Sequence, residues 1–351
     1  MKLYNVGILG ATGAVGREMM KVLEERRFPI DELRLLASAR SAGKQLAFRG
    51  EGITIREAAD DAFDGLDIVL GAAENDVAKR FAPAIKKAGA VFVDNSSAFR
   101  LDPDVPLVVP EINIETVTPS TRIIANPNCS TIQLVLALSR LHWRYRIHRL
   151  VVSTYQSITG TGIKAVRQLE AEEDYFFRHQ VPSSQLRQHM EQELGDQYQP
   201  AYPNQIFRNL FPHGGDFLPD GYTTEEEKLV NETRKILGDP DIMVSATVAR
   251  VPVVGGHSES VNVEFHDDYD IDEARQLIAD TPGVILCDDP TANLYPTPVM
   301  AHNRDEVFVG RVRRDPSQPR SLNLWVVSDN LRKGAATNAI QILQQLTAPS
   351  V

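Results

Sequence analysis

The first 130 or so residues alternate short apolar runs with amphipathic helical patterns, and this alternation restricts the fold more than any other feature of the chain. The run "YNVGIL" predicts a buried strand, and "AVGREMMKVLEER" directly after it predicts a helix. Further strands are predicted at "ELRLLAS", "LDIVLGAA", "AVFVDNS", "PLVVPEI" and "TRIIANP", with a helix at "DVAKRFAPAIKKAG". Because strands that alternate with helices form parallel sheets covered on both faces, we predict a doubly wound α/β domain.

The pattern changes from about residue 149 onward. Longer strands with fewer helices between them are predicted at "RLVVSTYQSIT", "IMVSATVARVPVV", "HSESVNVEFH", "EVFVGRVRR" and "SLNLWVVSD". This pattern favours an α+β domain with a mixed sheet over residues 129–329. The last amphipathic pattern predicts a helix over about 330–351 that returns to the first domain, residues 1–128. Residues 163–195 are polar and partly helical, and they indicate a surface or a contact between subunits.

A glycine-rich loop joins the first predicted strand to the first predicted helix. Gly7, Gly10, Gly13 and Gly16 lie in "GILGATGAVG", where glycine lets the backbone approach a pyrophosphate at a helix N-terminus. The spacing from Gly10 is G-x-x-G-x-x-G, and the strand–turn–helix context supports a Rossmann-like dinucleotide site. The loop residues predicted to contact the cofactor are Gly10, Thr12, Gly13, Ala14 and Val15.

The end of the second predicted strand indicates which dinucleotide binds. An NAD site usually has a carboxylate there, which holds the ribose 2′-hydroxyl. This chain has Ser38, Arg40 and Ser41 instead, in "ASARSAGK". Since a guanidinium can bind a 2′-phosphate that a carboxylate would repel, these three residues favour NADP. The alternative is that Arg40 is an ordinary surface arginine.

Composition excludes several other classes of protein. The net charge of -10 and pI near 5.4 disfavour binding to nucleic acid or to an anionic membrane surface. No apolar stretch is long enough to span a bilayer, and the apolar run after the start is too short for a signal peptide. The two cysteines are too far apart in sequence to suggest a disulfide framework or a metal site. We therefore expect a cytoplasmic enzyme.

Cys129 lies in "ANPNCST", directly before a strong helical pattern. A cysteine attacks as the thiolate, so we expect the helix N-terminus to lower the pKa of this thiol. The same backbone N–H groups could stabilise the oxyanion of a tetrahedral adduct. The alternative, a small buried apolar residue, is disfavoured by Asn126 and Asn128 on either side of the proline. Cys287 ends an apolar run, and we assign it to packing.

A nucleophilic thiol beside a nicotinamide indicates oxidation of an aldehyde through a thioester, or the reverse reduction of an acyl phosphate. That chemistry needs a group that exchanges a proton with the hemithioacetal oxygen. Arg250 and His257 lie seven residues apart in "VARVPVVGGHSES". The odd spacing, with two glycines before the histidine, predicts a bend that redirects His257.

Seven motifs in this order resemble the aspartate-semialdehyde dehydrogenase family: "GATGAVG", "DNSSAFR", "NPNCST", "STYQ", "GYTTEEEK", "ARVPV…HSESV" and "LWVVSDNLRKGAATN". The resemblance covers residues 7 to about 340. It implies reversible, NADP-dependent reductive dephosphorylation of 4-phospho-L-aspartate to L-aspartate 4-semialdehyde, in lysine, threonine, methionine and diaminopimelate synthesis. It also implies a homodimer or homotetramer, and it makes residues 129–329 the catalytic and dimerisation domain.

The resemblance further assigns roles to individual residues. The implied catalytic residues are the nucleophile Cys129, the acid/base His257 and the substrate-orienting Gln156. Arg100 and Lys228 are implied to hold phosphate, Arg250 the α-carboxylate and Glu225 the substrate amine. Asn128 is counted with these substrate-binding residues, and Asn330 is implied to reach the nicotinamide.

Three alternatives remain open at this stage. N-acetyl-glutamyl-phosphate reductase shares the two-domain plan, but its substrate has no free amine for Glu225 to bind. A malonyl-CoA reductase on this scaffold would not need phosphate. An inactive NADP-binding regulatory paralog is disfavoured because Cys129, Gln156, Arg250 and His257 are all present.

Overall fold

The computed structural model describes residues 2–348, and its first domain is built around a six-stranded parallel sheet. The strands are β1 (Tyr4–Leu9), β2 (Ile30–Ala37), β5 (Arg56–Glu57), β6 (Ile68–Gly71), β7 (Val91–Asp94) and β8 (Ile123–Ala125). Their order in the sheet is β5-β2-β1-β6-β7-β8, and a hairpin of β3 (Gln45–Phe48) and β4 (Glu51–Thr54) lies outside it. The helices of this part are α1 (Ala14–Glu25), α2 (Asn75–Lys87) and α3 (Pro110–Asn113).

The second domain is built around a six-stranded mixed sheet of order β10-β9-β11-β14-β13-β12. Its strands are β9 (Ile147–Ser157), β10 (Met243–Val251), β11 (His257–Phe265), β12 (Val284–Leu286), β13 (Val307–Arg314) and β14 (Ser321–Ser328). Its helices are α4 (Cys129–Tyr145), α5 (Ile163–His179), α6 (Leu186–Leu194), α7 (Thr224–Leu237), α8 (Ile271–Ala279) and α9 (Pro298–Ala301). The predicted combination of a doubly wound sheet with a mixed α+β sheet is confirmed.

The core of the second domain forms where α4, α7 and α8 pack on one face of the mixed sheet. Helix α4 is buried along most of its length, because apolar side chains such as Leu134, Leu138 and Leu141 leave almost no surface exposed. A helix that is apolar on nearly all sides must be enclosed by other elements. Its first residue, Cys129, is therefore held by a rigid element at the junction of the two domains.

The end of the chain returns to the first domain, after a π-helical turn (Arg332–Ala336) and helix α10 (Thr337–Thr347). Arg332 makes ion pairs with Glu18 and Glu25 of α1, at 3.0 and 2.5 Å. Lys333 has a side chain that is only 1% exposed, and it pairs with Glu111 of α3 at 2.8 Å. These ion pairs fix the closing segment against α1 and α3.

Residues 349–351 of the predicted closing helix lie outside the described residues. The predicted division at residues 128 and 129 coincides with the start of α4, and the predicted domain bounds stay a prediction. No helix within residues 2–348 is both long enough and apolar enough to cross a membrane.

One predicted strand is wrong. The run "PLVVPEI" contributes a single bridge, Leu107 to Ala125, and then enters α3 at Pro110. Val108 and Val109 are nevertheless fully buried. The run is apolar because this connection packs into the core, whereas proline at the first helical position favours a helix start.

Candidate active site

The glycine loop makes a tight turn at the end of β1. Gly10 has φ +88°, and a Cβ placed there would lie 2.4 Å from the carbonyl oxygen of Ala72. A Cβ on Gly16 would lie 2.5 Å from the carbonyl oxygen of Gly10. Gly13 is the N-cap of α1 and provides no side-chain cap. The helix therefore begins with backbone N–H groups available to an anion, as a dinucleotide pyrophosphate requires.

The other predicted cofactor residues surround this turn. Ala14 and Val15 open α1, and Thr12 accepts a 3.1 Å hydrogen bond from Arg17 through its carbonyl oxygen. The N–H of Gly10 donates to Leu36 near the end of β2, so the loop lies beside the segment that follows β2. In that segment Ser38 stands at the N-cap position of a short 3₁₀ turn over Ala39–Ser41, without a capping hydrogen bond from its side chain. The turn includes the exposed Arg40 and the half-buried Ser41.

Cys129 is the first residue of α4, and Asn128 is the N-cap. The Asn128 Oδ1 accepts from the N–H groups of Ser130 and Thr131, which is the usual N-cap geometry. Its Nδ2 donates to Glu225 at 2.6 Å. Both ends of this amide are therefore engaged, and the predicted contact between Asn128 and substrate stays a prediction.

His257 faces the cysteine. Its Nε2 lies 3.2 Å from Cys129 Sγ, and its Nδ1 accepts a 3.0 Å hydrogen bond from the N–H of Ser157. An Nδ1 that accepts a hydrogen bond places the proton of the neutral ring on Nε2. Burial, and then Arg250, lower the pKa of His257 to about 3. The imidazole is therefore neutral, with its N–H directed at the sulfur.

The expected lowering of the Cys129 pKa is wrong. The residue is only partly exposed, and burial, followed by the charge of Glu225, raises the pKa of its thiol to about 11. These two effects outweigh the opposing charges of Arg250, Arg100 and Lys228. The resting thiol is therefore protonated at neutral pH.

Two buried arginines at this site carry hydrogen-bond donors that could bind an anion. Arg250 donates from Nη1 to the carbonyl oxygen of Ser157 at 2.8 Å, and Arg100 donates from Nη2 to that of Asn95 at 2.8 Å. Both side chains are largely buried, and within residues 2–348 neither Nε has a hydrogen-bond partner. Because an unpaired buried donor is costly, each guanidinium is ready to bind an anion.

Arg250 and His257 lie on β10 and β11, which are separated in the sheet by β9. The chain turns between them through Gly255, which has φ +94°. The predicted bend is thus present, and a side chain at position 255 would collide with His302.

Glu225 and Lys228 form an ion pair at 2.7 Å on the first turns of α7. Burial alone would raise the pKa of Glu225, but Lys228, Asn128 and Arg250 outweigh it and lower the pKa to about 2. The carboxylate is therefore ionised beside Asn128 and can bind a cation such as an ammonium group.

Gln156 and Asn330 complete the predicted set. Gln156 is 1% exposed and donates from Nε2 to Ser130 Oγ at 2.8 Å, which orients its amide over the start of α4. Asn330 accepts from Thr159 Oγ1 at 2.9 Å through its Oδ1. The structure thus gathers Arg100, Asn128, Gln156, Glu225, Lys228, Arg250 and Asn330 around the Cys129–His257 pair through direct contacts or shared neighbours.

Sequence reasoning missed two residues at this site. Glu232 accepts from the Asn128 N–H at 2.6 Å and from Arg100 Nη1 at 3.0 Å. Gly334 lies against the nucleophile, since a Cβ there would be 2.9 Å from Cys129 Cβ. Neither carries a local signal, because a glutamate inside a charged helix and a glycine in a small-residue run are both common.

Comparison with known families agrees with this arrangement. The family model "Semialdehyde dehydrogenase, NAD binding domain" matches residues 5–119, and "Semialdehyde dehydrogenase, dimerisation domain" matches residues 138–333. The first part of the chain therefore carries a nicotinamide-dinucleotide-binding domain, and the second carries a domain through which such proteins form oligomers.

Individual relatives match over nearly the whole chain. The aspartate-semialdehyde dehydrogenase of Aquifex aeolicus is 48% identical and covers 98% of each chain. That of Bacillus subtilis is 43% identical and covers 97% of each. Among solved structures, aspartate semialdehyde dehydrogenase II of Vibrio cholerae, complexed with ASA, superposes with a TM-score of 0.91 at 41% identity, covering 99% of this chain and 98% of that one. The chain therefore belongs to the aspartate-semialdehyde dehydrogenase family of oxidoreductases.

Proposed function

We propose that this chain reduces 4-phospho-L-aspartate to L-aspartate 4-semialdehyde and phosphate, reversibly and with NADPH, through a thioester on Cys129. The observation that carries the proposal is the 3.2 Å contact between Cys129 Sγ and His257 Nε2, close to two buried arginines whose Nε donors have no hydrogen-bond partner among the described residues. A thiol, a proton donor and two anion-binding groups are what an acyl phosphate with a distant carboxylate requires.

The charges around the thiol correspond to the charges of this substrate. Arg100 and Lys228 provide cations for the phosphate, and Arg250 provides a guanidinium that can bind the α-carboxylate. Glu225 is ionised and provides an anion for the substrate ammonium group. The two alternatives that differ in substrate fit less well, because an N-acetylated substrate has no ammonium group and a coenzyme A thioester has no phosphate at its reacting carbon.

The chemistry in the reductive direction begins at Cys129. Its sulfur bonds to the acyl carbon, the bond from that carbon to the phosphate oxygen breaks, and the thiol proton leaves with phosphate. Gln156, held by Ser130, orients the substrate for this attack. The side-chain oxygen of Asn128 already accepts from the N–H groups of Ser130 and Thr131, so the N–H of Cys129 itself is the backbone donor proposed to stabilise the oxygen that becomes negative.

His257 then stabilises the charge on that oxygen. When bound, the nicotinamide cofactor supplies the hydride that reduces the thioester carbon. As negative charge develops on the oxygen, the neutral ring of His257 donates a hydrogen bond to it from Nε2–H. The carbonyl forms again as the carbon–sulfur bond breaks, and the sulfur takes a proton from solvent. Because the ring is neutral before the reaction, it can donate this hydrogen bond without prior protonation.

The preference for NADP over NAD also belongs to this proposal. The loop around Gly10 and the uncapped N-terminus of α1 fit a pyrophosphate, and the exposed Arg40 fits a 2′-phosphate. We also propose Thr12, Ala14, Val15, Ser38 and Ser41 as further cofactor contacts and Asn330 as a contact of the nicotinamide. A homodimer or homotetramer in the cytoplasm is likewise proposed.

Replacing Arg40 by alanine tests the cofactor preference. We expect the KM for NADP to rise about 10- to 100-fold, the range expected for loss of a charge-assisted hydrogen bond, with the KM for NAD nearly unchanged. Steady-state kinetics with each cofactor measure this. Arg56→Ala is the control, because Arg56 is an exposed arginine on the edge strand β5 of the same sheet. Equal changes for both cofactors would mean that Arg40 does not bind a 2′-phosphate.

The decisive test of the activity follows formation of NADPH from L-aspartate 4-semialdehyde and NADP, with and without inorganic phosphate. We expect turnover to require phosphate, with arsenate able to replace it, because only an oxyanion can release the acyl group from Cys129. Turnover without any oxyanion would contradict the proposal. Turnover only with N-acetyl-glutamate semialdehyde, or only with coenzyme A derivatives, would support one of the alternative substrates instead.

A further inference from the structure

Glu232 has no part in the chemistry above, yet it contacts two parts of the site at once. It lies on α7, seven residues and hence about two helical turns after Glu225. Its Oε1 accepts from Arg100 Nη1 at 3.0 Å, and its Oε2 accepts from the backbone N–H of Asn128 at 2.6 Å. The side chains of Glu232 and Arg100 are 1% and 8% exposed. We infer that Glu232 is a positioning residue, which holds the phosphate-binding Arg100 at a fixed place relative to Cys129; this inference rests on the proposed function.

The contact with Arg100 sets the direction of its guanidinium. Arg100 is held at one terminal nitrogen by Glu232 and at the other by the carbonyl oxygen of Asn95. Because a guanidinium is planar, two such contacts fix its plane, and they leave Nε as a buried donor with no partner in residues 2–348. Lys235, one turn further along α7, supports the same loop by donating to the carbonyl oxygens of Arg100, Asp102 and Val105 at 2.7–2.9 Å.

The contact with Asn128 sets the position of the nucleophile. Asn128 immediately precedes Cys129 and caps α4. Glu232 holds its backbone N–H, while Glu225 accepts from its side-chain Nδ2 at 2.6 Å. Two carboxylates on one face of α7, those of Glu225 and Glu232, thus accept hydrogen bonds from Asn128, the residue before the cysteine. The same helix carries Lys228. A shift of this turn would change the 3.2 Å distance between Cys129 and His257.

A purely structural ion pair is the competing explanation, and Glu232→Gln distinguishes the two. Glutamine has one acceptor oxygen where glutamate has two, so it cannot accept from both Arg100 and Asn128. Its NH₂ group would face a donor, and Arg100 or the Asn128 turn would have to move. Because misplacement by about 1 Å can cost about 100-fold in rate, a positioning role predicts a specific kinetic defect.

The experiment compares Glu232→Gln with Glu172→Gln in the full-length enzyme. Glu172 is a matched control, because it is a fully buried glutamate whose Oε2 accepts from the N–H groups of Ile206 and Phe207, away from the site. We expect Glu232→Gln to raise the KM for phosphate about tenfold or more with little change in the KM for the semialdehyde. The control is expected to lower the melting temperature and leave both constants near wild type.

A second readout does not depend on turnover. Bound phosphate should protect Cys129 from alkylation by iodoacetamide, and Glu232→Gln should raise the half-protecting phosphate concentration by a similar factor. If Glu232→Gln shows only the lower melting temperature of the control, with both phosphate readouts unchanged, the positioning role is overturned. If wild-type turnover needs no phosphate, the proposed function fails, and the protection experiment alone decides the role of Glu232.

A variant that does not fold would leave the test to Glu232→Asp. Aspartate keeps the charge and both oxygens but is shorter by one methylene, so it can reach only one of its two partners well. The expected result is again a selective rise in the phosphate KM and in the half-protecting concentration. Wild-type values for both in Glu232→Asp would overturn the inference.

Discussion

Replacing Cys129 by alanine is expected to reduce turnover by on the order of 10⁶, the scale seen when a covalent nucleophile is removed from an enzyme. The sulfur forms the bond to the acyl carbon, and no neighbouring group can replace it. The cofactor loop at Gly10 and the start of α1 lie on a different element, so NADPH should bind with unchanged affinity. Steady-state kinetics and NADPH fluorescence titration measure the two quantities separately.

Cys287→Ala is the matched control for this experiment. Cys287 is the other cysteine of the chain, is buried after β12, and places its Sγ 3.7 Å from Met300 Sδ. Its location agrees with the predicted packing role, and its removal should leave turnover near wild type. Appreciable turnover in Cys129→Ala, or an equal loss in Cys287→Ala, would contradict a thioester on Cys129.

Replacing His257 by glutamine is expected to lower kcat by about 100- to 1,000-fold, the usual contribution of a donor positioned at a developing oxyanion. Glutamine still carries an N–H, but its flexible side chain lacks the ring that the Ser157 N–H holds in place, so the donor is no longer fixed toward the reacting oxygen. The KM values for phosphate and for NADP should change little, since His257 contacts Cys129 and Ser157 rather than Arg100 or the glycine loop.

His142→Gln is the matched control, because His142 is also buried and its Nδ1 also accepts a backbone N–H, that of Ile147 at 3.2 Å. We expect it to lower stability without reducing kcat. The pH profile adds a second check. Because the pKa of His257 is lowered to about 3, its neutral form persists across the neutral range. A loss of activity below pH about 6.5 that disappears in His257→Gln would show an unshifted histidine instead.

The sequence predicted those features that depend on neighbouring residues. Apolar periodicity located most strands of both sheets, though not the short edge strand β5, and the polar residues around Cys129 indicated a helix start, where α4 does begin. The glycines before His257 indicated a bend, and Gly255 adopts the left-handed backbone conformation that the bend needs. Each of these rests on local sterics or local hydrogen bonding, which a short stretch of sequence contains.

Features that depend on distant residues could not be predicted in the same way. The pKa of Cys129 is raised by enclosure and by Glu225, which is remote in sequence, so the local helix N-terminus gave the wrong direction. Glu232 acquires its two contacts only when α7 packs beside α4 and the loop of Arg100. The run "PLVVPEI" is apolar because it packs against two domains. Apolar periodicity alone cannot distinguish such a buried connection from a buried strand.

The return of the chain end to the first domain has a consequence for recombination between genes of this family. The family model of the second domain extends to residue 333, yet Arg332 and Lys333 pair with α1 and α3 of the first domain. A single crossover near codon 129 would therefore join a first domain from one parent to a closing segment from another. The carboxylates of Glu18 and Glu111 would then face a closing segment from the other parent, in place of the Arg332 and Lys333 with which they pair here. Exchange of an intact domain needs two junctions, so these enzymes are expected to diverge as whole genes rather than by domain shuffling.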